Sequence, residues 1–480
     1  MLNSKKAPKM VIPVARRTST SSISSPTPKK KVKKLSRVVP KADLENIGAS
    51  TLIFTTHTSA NNEEIVIVMS RPFNEIPPKD SRNAFKQKCK ECMKICNFSD
   101  PNQDSKAKNA KTTLLKHIIS AFTIPHVSRS LSNEMFSIFY QMVSSNLFRE
   151  FPYLVQAGTS DFRSNHQDSA WIHISLVYEA LVASFSLAPS AELPQDFVSK
   201  LLMNVLSPDD RERTIVSGLL SSIYTKHINQ RSVIRQKVFS IFISRYCSSE
   251  LLEIAISIIS SYPAPLKPDA INVYATVILP LHTFTEFPNY SRNLFQCISR
   301  MIAKSDQMFN VTINYLITHW PLSDRSKQLI YLHELSELII AYNSLVKPVH
   351  LNRFFTLVSE CFNDLCSSIA DAAIDLFQNN LFFDYLRGTS NIYFFQIVTS
   401  AYNCSKSHWD DEIRDSATSL LENLETIDGS QYKKTIDAQK MMKSRKKAAF
   451  ALCKSNWSKV YEGAKVFDGN VELPDMALLK

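Results

Sequence analysis

Glycine is almost missing from this chain. Gly48, Gly158, Gly218, Gly388, Gly429, Gly463 and Gly469 are the only ones in 480 residues, against an average usage of roughly 7%. Loops that cradle phosphates, nucleophile elbows and tight hairpins need glycine where the backbone takes positive φ or approaches a ligand closely. No two of these glycines lie within five residues of each other, which excludes Walker and dinucleotide-binding loops. An all-β fold would lack its usual turn residues as well. Long apolar runs are also absent, so no membrane span is expected, and the Lys- and Ser-rich N-terminal stretch has no apolar segment of the kind a signal peptide needs. The cysteines, nine and therefore odd in number, are scattered, which fits reduced thiols in a cytoplasmic or nuclear protein better than a disulfide framework.

Catalytic clustering is missing too. The eleven histidines are dispersed, with no Ser-His-Asp or His-x-Glu pattern, so neither a catalytic residue nor a cofactor is assigned and the chain is read as no enzyme. His173, His282, His333 and His408 stand beside apolar residues and are read as packing residues. Cys89, Cys92 and Cys96 tempt a zinc reading, but Phe85 to Phe98 is helical in pattern, which sets the three on one stripe where free cysteine packs as a small apolar side chain. No metal site is expected.

The charge that is present is unevenly placed. Of the formal net charge of +12, residues 1–50 supply +10 (twelve Lys or Arg against Asp43 and Glu45), leaving the remaining 430 residues near neutral at +2. This first segment, rich in Ser, Thr, Pro and Lys, cannot bury enough apolar surface to order itself and is read as a disordered basic tail. Within it, Lys29, Lys30, Lys31, Lys33 and Lys34 form a candidate nuclear-localisation cluster, with a generic solvated basic run as the alternative. Ser25 and Thr27, each before a proline, are candidate phosphorylation sites whose phosphate would offset that cluster. Residues 51–74 are read as a linker.

From about residue 75 to 430 apolar residues recur at helical spacing. Leu251, Leu252, Ile254, Ala255, Ile258, Ile259 and Tyr262 make a segment apolar around most of its circumference, which neighbours must cover on more than one side. Similar stretches run from Leu114 to Phe122, Phe136 to Phe148, Trp171 to Phe185, Phe197 to Leu206, Val233 to Cys247, Phe295 to Ile302, Val311 to Trp320, Leu329 to Ile340 and Phe354 to Leu365. Short breaks such as Ser207-Pro208-Asp209-Asp210 separate them, and pairing at roughly 40-residue intervals predicts an all-α solenoid of HEAT or armadillo type. Asp209-Asp210-Arg211-Glu212-Arg213 reads as a helix start, acids first toward the macrodipole and then alternating charge on an exposed face. Residues 431–480 are expected to be a basic helical extension that frays over its last twenty residues.

Several of these segments, in order, resemble the B-prime regulatory subunits of protein phosphatase 2A. They are Phe98-Ser99-Asp100-Pro101 before a Lys-rich helix, Ala170-Trp171-Ile172-His173 running to Leu176-Val177-Tyr178-Glu179, Arg211-Glu212-Arg213 with Ile223-Tyr224, and Leu251-Leu252-Glu253-Ile254 leading to Pro265-Leu266-Lys267. Leu279-Pro280-Leu281-His282, Trp320-Pro321, His333-Glu334-Leu335 and His408-Trp409 follow. The resemblance implies a stack of about eight HEAT-like helical pairs, partnered with the phosphatase scaffold and catalytic subunits. It implies no active site, but a concave groove for short linear motifs of Leu-x-x-Ile-x-Glu type in substrates. Carried over residue by residue, Tyr224, Ile254 and Ile258 match family residues lining the apolar pockets, with simple core packing as the competing role of each Ile. Arg231, Arg235 and Lys267 match the cations that receive the motif's acidic end. Ile254 and Ile258, like Arg231 and Arg235, are four residues apart and so share a helix face.

Three departures mark a divergent member. Ser221 and Ser222 stand where the family has His and Arg, Ala270 stands where it has a second groove His, and the usually acidic loop is here the weakly charged Asp161–Gln167. A weaker or altered motif preference is expected, with less enhancement by phosphorylation. The rival reading is an armadillo-type peptide-binding transport or scaffold protein. Importin-alpha-type grooves pair each Trp with an Asn four residues on, but here those positions hold Ser175, Asp324, Ile413 and Tyr461. A nucleic-acid-binding solenoid is the third reading. It needs cations along the groove, and the near-neutral body argues against any specific nucleic acid.

Overall fold

A computed structural model describes residues 52–54, 65–151, 166–187, 193–194, 196–388 and 391–470. The basic tail, with Ser25, Thr27 and the lysine cluster at 29–34, lies outside the described residues, as do most of Asp161–Gln167 and the last ten residues. In chain order the helices are α1 (Ser81–Cys92), α2 (Ser105–Ala121), α3 (Pro125–Ser128), α4 (Asn133–Leu147), α5 (Trp171–Leu187), α6 (Phe197–Met203) and α7 (Asp210–Lys226). They continue with α8 (Arg231–Ile243), α9 (Ser249–Ser260), α10 (Pro268–Val273), α11 (Phe287–Ile302), α12 (Asp306–Thr318) and α13 (Arg325–Ala341). The series ends with α14 (Pro348–Cys361), α15 (Ser367–Asp375), α16 (Asn380–Gly388), α17 (Asn391–Ser407), α18 (Asp411–Ile427) and α19 (Gly429–Phe467). Two three-residue strands, β1 (Leu52–Phe54) and β2 (His166–Asp168), pair in parallel; no periodicity announced them.

Start and stop chemistry sets these boundaries. Side chains of Asp209, Ser248, Asp324, Asp410 and Asp428 accept hydrogen bonds from the first-turn amides of α7, α9, α13, α18 and α19, each cap worth about 1 kcal/mol. Pro125, Pro268 and Pro348 open α3, α10 and α14, where the missing amide costs nothing.

The helices pack in two rows. In one, α2, α5, α7, α9, α11, α13, α15 and α18 each contact the next; in the other, α12, α14, α17 and α19 do so, with α6 on α8 before them. Every helix therefore meets its neighbours in the stack and little else, the packing of an α-solenoid, as the repeated amphipathic segments predict. α9 illustrates why. Leu251, Leu252, Ile254, Ala255 and Ile258 are fully buried because α7 covers one side and α11 the other.

Two buried lysines tie segments together at the N-terminal end of the stack. Lys111 Nζ donates to Lys94 O at 2.6 Å and Asn146 Oδ1 at 2.7 Å, while Asn146 Nδ2 donates to Cys92 O at 3.0 Å. Together they satisfy carbonyls at the C-terminal end of α1. Lys88 Nζ reaches Ser70 Oγ at 2.6 Å and Arg71 O at 2.7 Å, and Phe73 packs on Phe85. Residues 65–73, expected as part of a linker, are thus strapped to the first helices.

Four expectations need correction. α1 stops at Cys92, so Cys96 lies beyond the helix, although all three cysteines are fully buried; burial pushes the Cys92 thiol up to about 12. The charges opening α7 do not form an exposed face: Asp209 and Glu212 have no exposed surface. Unlike His173, His282 and His408, which are buried, His333 is 72% exposed and pairs with Glu337 at 3.2 Å. The C-terminal extension is helical through residues 461–467, the part of the expected frayed end that α19 includes.

Candidate functional site

Of the carried-over residues, Tyr224, Arg231 and Arg235 meet at the C-terminal end of α7, beside the end of α9. α7 ends with Ser221, Ser222 and Tyr224, a short 3-10 turn at Ile228–Gln230 reverses the chain, and α8 begins on Arg231. α9 then runs beside α7, and Lys267 stands at the residue before α10, seven positions past the end of α9.

Tyr224 is 1% exposed, and its hydroxyl lies 2.9 Å from Ser261 Oγ, tying the last turn of α7 to the end of α9. Arg231 lies over its ring at 5.4 Å. The same guanidinium donates from Nε to Tyr224 O at 2.8 Å and from Nη2 to Thr225 O at 3.1 Å. Arg231 therefore closes the carbonyl end of α7, where the helix dipole favours a cation.

Arg235 sits one turn further along α8, half-buried. Burial pushes the Tyr262 hydroxyl up to about 12, Tyr224 adds to the rise and the Arg235 charge opposes it, which places these three groups in one cluster. Lys267 is exposed. Among the described residues no carboxylate lies within ion-pair distance of Arg231, Arg235 or Lys267, so their positive charge has no local counter-ion.

The apolar half is placed differently. Ile254 and Ile258 have no exposed surface and belong to the packed contact of α9 with its neighbours. On α9 the residues turned toward solvent are Glu253 and Ser260, with Ile256 and Ser257 half-buried. Ser221 and Ser222 are half-buried, as is Ala270 in the first turn of α10. None of the three brings a charge to the cluster.

One feature that positions this site carries no plain mark in the sequence. Arg149 is forked onto Glu212, with Nη1 to Oε1 at 2.8 Å and Nη2 to Oε2 at 2.7 Å, and also reaches Asp168 Oδ2 at 3.1 Å. The Tyr178 hydroxyl donates to Glu212 Oε1 at 2.8 Å, and Asn204 Nδ2 contributes a bond to that hydroxyl. This buried network locks the start of α7 to α5 and β2. A faint signal exists: Glu212 falls on the stripe shared by Val216, Leu219, Leu220 and Ile223, the buried face of α7.

Two clefts lie elsewhere. One of about 540 Å³ opens at the opposite end of α9, between Arg213, Arg245 and Thr283 to Tyr290. Another of about 440 Å³ lies along α12, lined by Asn310, Asn314, Tyr315, His319, Lys347 and His350. Among the described residues no group of three or more His, Cys, Asp or Glu is placed to hold a metal ion, and no helix is long and apolar enough to cross a membrane.

Comparison with known proteins gives this arrangement its context. The family model described as protein phosphatase 2A regulatory B subunit (B56 family) matches residues 70–464. The B' kappa isoform of the 57 kDa regulatory subunit of serine/threonine protein phosphatase 2A from Oryza sativa is 24% identical over 433 residues, 86% of this chain and 84% of the relative. The alpha isoform of the 56 kDa regulatory subunit from Homo sapiens is 25% identical, covering 80% of this chain and 81% of its own length. A delta 1 isoform from Schizosaccharomyces pombe is 25% identical, covering 82% and 73%.

Proposed function

The chain belongs to the B56 family of protein phosphatase 2A regulatory B subunits, and we propose that it recruits substrates carrying Leu-x-x-Ile-x-Glu-type motifs through Arg231, Arg235 and Lys267. In its regulatory role it brings no catalytic group of its own. Dephosphorylation then falls to the catalytic subunit, held beside the substrate on the phosphatase scaffold, and tethering raises the local substrate concentration. The observation that supports the groove is the set of three cations, Arg231 and Arg235 by the ends of α7 and α9 and Lys267 at the start of α10, with no carboxylate partner among the described residues.

The acidic end of a motif meets these cations as they stand. For the Leu and Ile anchors to reach Tyr224, Ile254 and Ile258, the contact between α7 and α9 has to open, because all three side chains are closed in. That opening, and the loss of donors at Ser221, Ser222 and Ala270, both lower affinity. The preferred motif is therefore one with fewer phosphorylated or acidic positions. The tail cluster at Lys29, Lys30, Lys31, Lys33 and Lys34, with Ser25 and Thr27 beside it, serves in this reading as a nuclear address that phosphorylation weakens, so the protein divides between cytoplasm and nucleus.

Arg231 is a poor first target, since its removal also uncaps α7. Lys267→Glu and Arg235→Glu are cleaner. Each should cost at least about 2 kcal/mol, roughly thirtyfold in Kd, for a Leu-x-x-Ile-x-Glu peptide measured by calorimetry. Both variants should still co-elute with scaffold and catalytic subunits as a trimer. Unchanged peptide affinity would remove the groove from this place; failure of the wild-type chain to form the trimer would remove the holoenzyme role.

A further inference from the structure

Among the described residues, the second half of α19 has no partner. Up to Gln439 the helix is anchored, with Thr435, Ile436 and Gln439 buried and Gln439 Nε2 donating to Thr399 Oγ1 on α17 at 3.2 Å. Lys443 Nζ still reaches the Tyr402 ring at 4.9 Å. From Ser444 to Asn470 no residue is buried. Residues 441–467 nevertheless continue as regular helix for about 40 Å at 1.5 Å per residue.

Leu452 and Val466 are exposed on one face of this helix, while Phe450, Trp457, Val460 and Phe467 share another. Phe450, Trp457 and Ala464 recur every seven residues, and Cys453, Val460 and Phe467 recur every seven between them. That spacing is the a/d seam of a coiled coil over nearly three heptads. Trp457 is 43% exposed, Val460 60% and Phe467 93%. Large apolar side chains aligned on one stripe of a water-exposed helix mark a surface made to be covered. A single helix of this kind also gains little of its stability from propensity alone.

Charge decides what covers it. Between residues 440 and 467 stand eight lysines and arginines against Glu462 alone. Lys447 and Lys454 repeat at the position that flanks the seam, where coiled coils place the residues that choose a partner. A second copy of this helix would bring the same positive edge against it, so self-pairing is disfavoured. An anionic membrane is disfavoured as well: Lys443 and Lys446 interrupt the seam toward its start, and Leu452 and Val466 lie on the opposite face beside Arg445 and Lys459, whereas a surface helix wants one unbroken apolar face and one polar face. We propose that residues 443–467 dock a helix of another protein that has an apolar seam flanked by carboxylates.

The test uses the full chain and a labelled synthetic helix of four heptads with Leu at the seam and Glu at both flanks, read by fluorescence anisotropy near physiological salt. A twin peptide with Lys at the flanks, vesicles rich in phosphatidylserine and sedimentation of the chain alone complete the set. The acidic helix should bind saturably. Trp457→Glu should weaken it by at least about tenfold without shifting Tm, because Trp457 takes no part in the core, and the Lys twin should be weaker by a similar factor. Equal binding of both peptides, indifference to Trp457→Glu, capture by vesicles with no binding of the acidic helix, or a dimer that Trp457→Glu dissolves would each overturn the proposal.

Discussion

Lys111 is the residue whose chemistry departs furthest from expectation. It is 1% exposed on α2, and burial lowers its pKa from 10.5 to about 8. Between those two values the unfolded lysine holds a proton that the folded one has released, so its contribution to folding improves as pH rises through the window and is poorest below about 8. Lys111→Met removes the donor to Lys94 O and Asn146 Oδ1 and is destabilising at any pH. The loss should grow by about 2 kcal/mol between pH 7.5 and 9.5, read as the difference in urea unfolding between wild type and variant, in which other titrating groups cancel. A pH-independent difference would mean that Lys111 titrates normally. The sequence marks this lysine only faintly, by its place on the stripe of Ala107, Leu114, Leu115 and Ile118. Burial of an amine is decided by acceptors brought in from elsewhere, here Lys94 O just past α1 and the Asn146 amide of α4. Tyr224, Ile254 and Ile258 show the same limit from the other side. Family matching points to them, yet whether an apolar residue lines a pocket or fills a core depends on how tightly two helices close.

At the scale of elements, the start of α7 shows what patterning can and cannot deliver. Its position was legible, since Asp209 before a periodic run is a capping signal. Its environment was not, because alternating charge reads as solvated until strand β2 and Arg149 are brought over it. Glu212→Ala strips the Tyr178 hydroxyl of its acceptor and takes from Arg149 the carboxylate it grips with both Nη atoms. It should cost about 3–5 kcal/mol, against less than about 0.5 kcal/mol for the exposed Thr214→Ala two residues along the same helix. Guanidinium unfolding of the two variants compares them directly, and similar midpoints would show that the network carries no net stability. The strand pair itself, three residues on each side, is below the length at which alternation is a signal. The long α19 was readable as basic and helix-permissive, but its persistence to Phe467 was not, since frayed and partnered helices share a composition.

For the molecule as a whole, helical repeats were legible because each must bury a wide apolar face on its neighbours, and that requirement is written at 3.6-residue spacing along some 350 residues. Contacts limited to neighbours in the stack imply stability that is local. Phe355, fully buried on α14 among Phe377, Tyr385 and Tyr393, is a suitable probe. Phe355→Ala should cost about 3–5 kcal/mol. Hydrogen exchange should accelerate in α12, α14, α15 and α17 while α2 and α5 keep their protection. Uniform acceleration from α2 to α19 would show a single cooperative block instead.

The manner in which α19 leaves the stack has a mechanical consequence. Its grip on the rest of the chain is confined to a few turns around Ile436 and Gln439, while its far end lies about 40 Å away. Anything holding that end acts through a lever. A modest pull at Phe467 is multiplied at α17 and α18, so load on the tip is felt first as loosening of the last repeat.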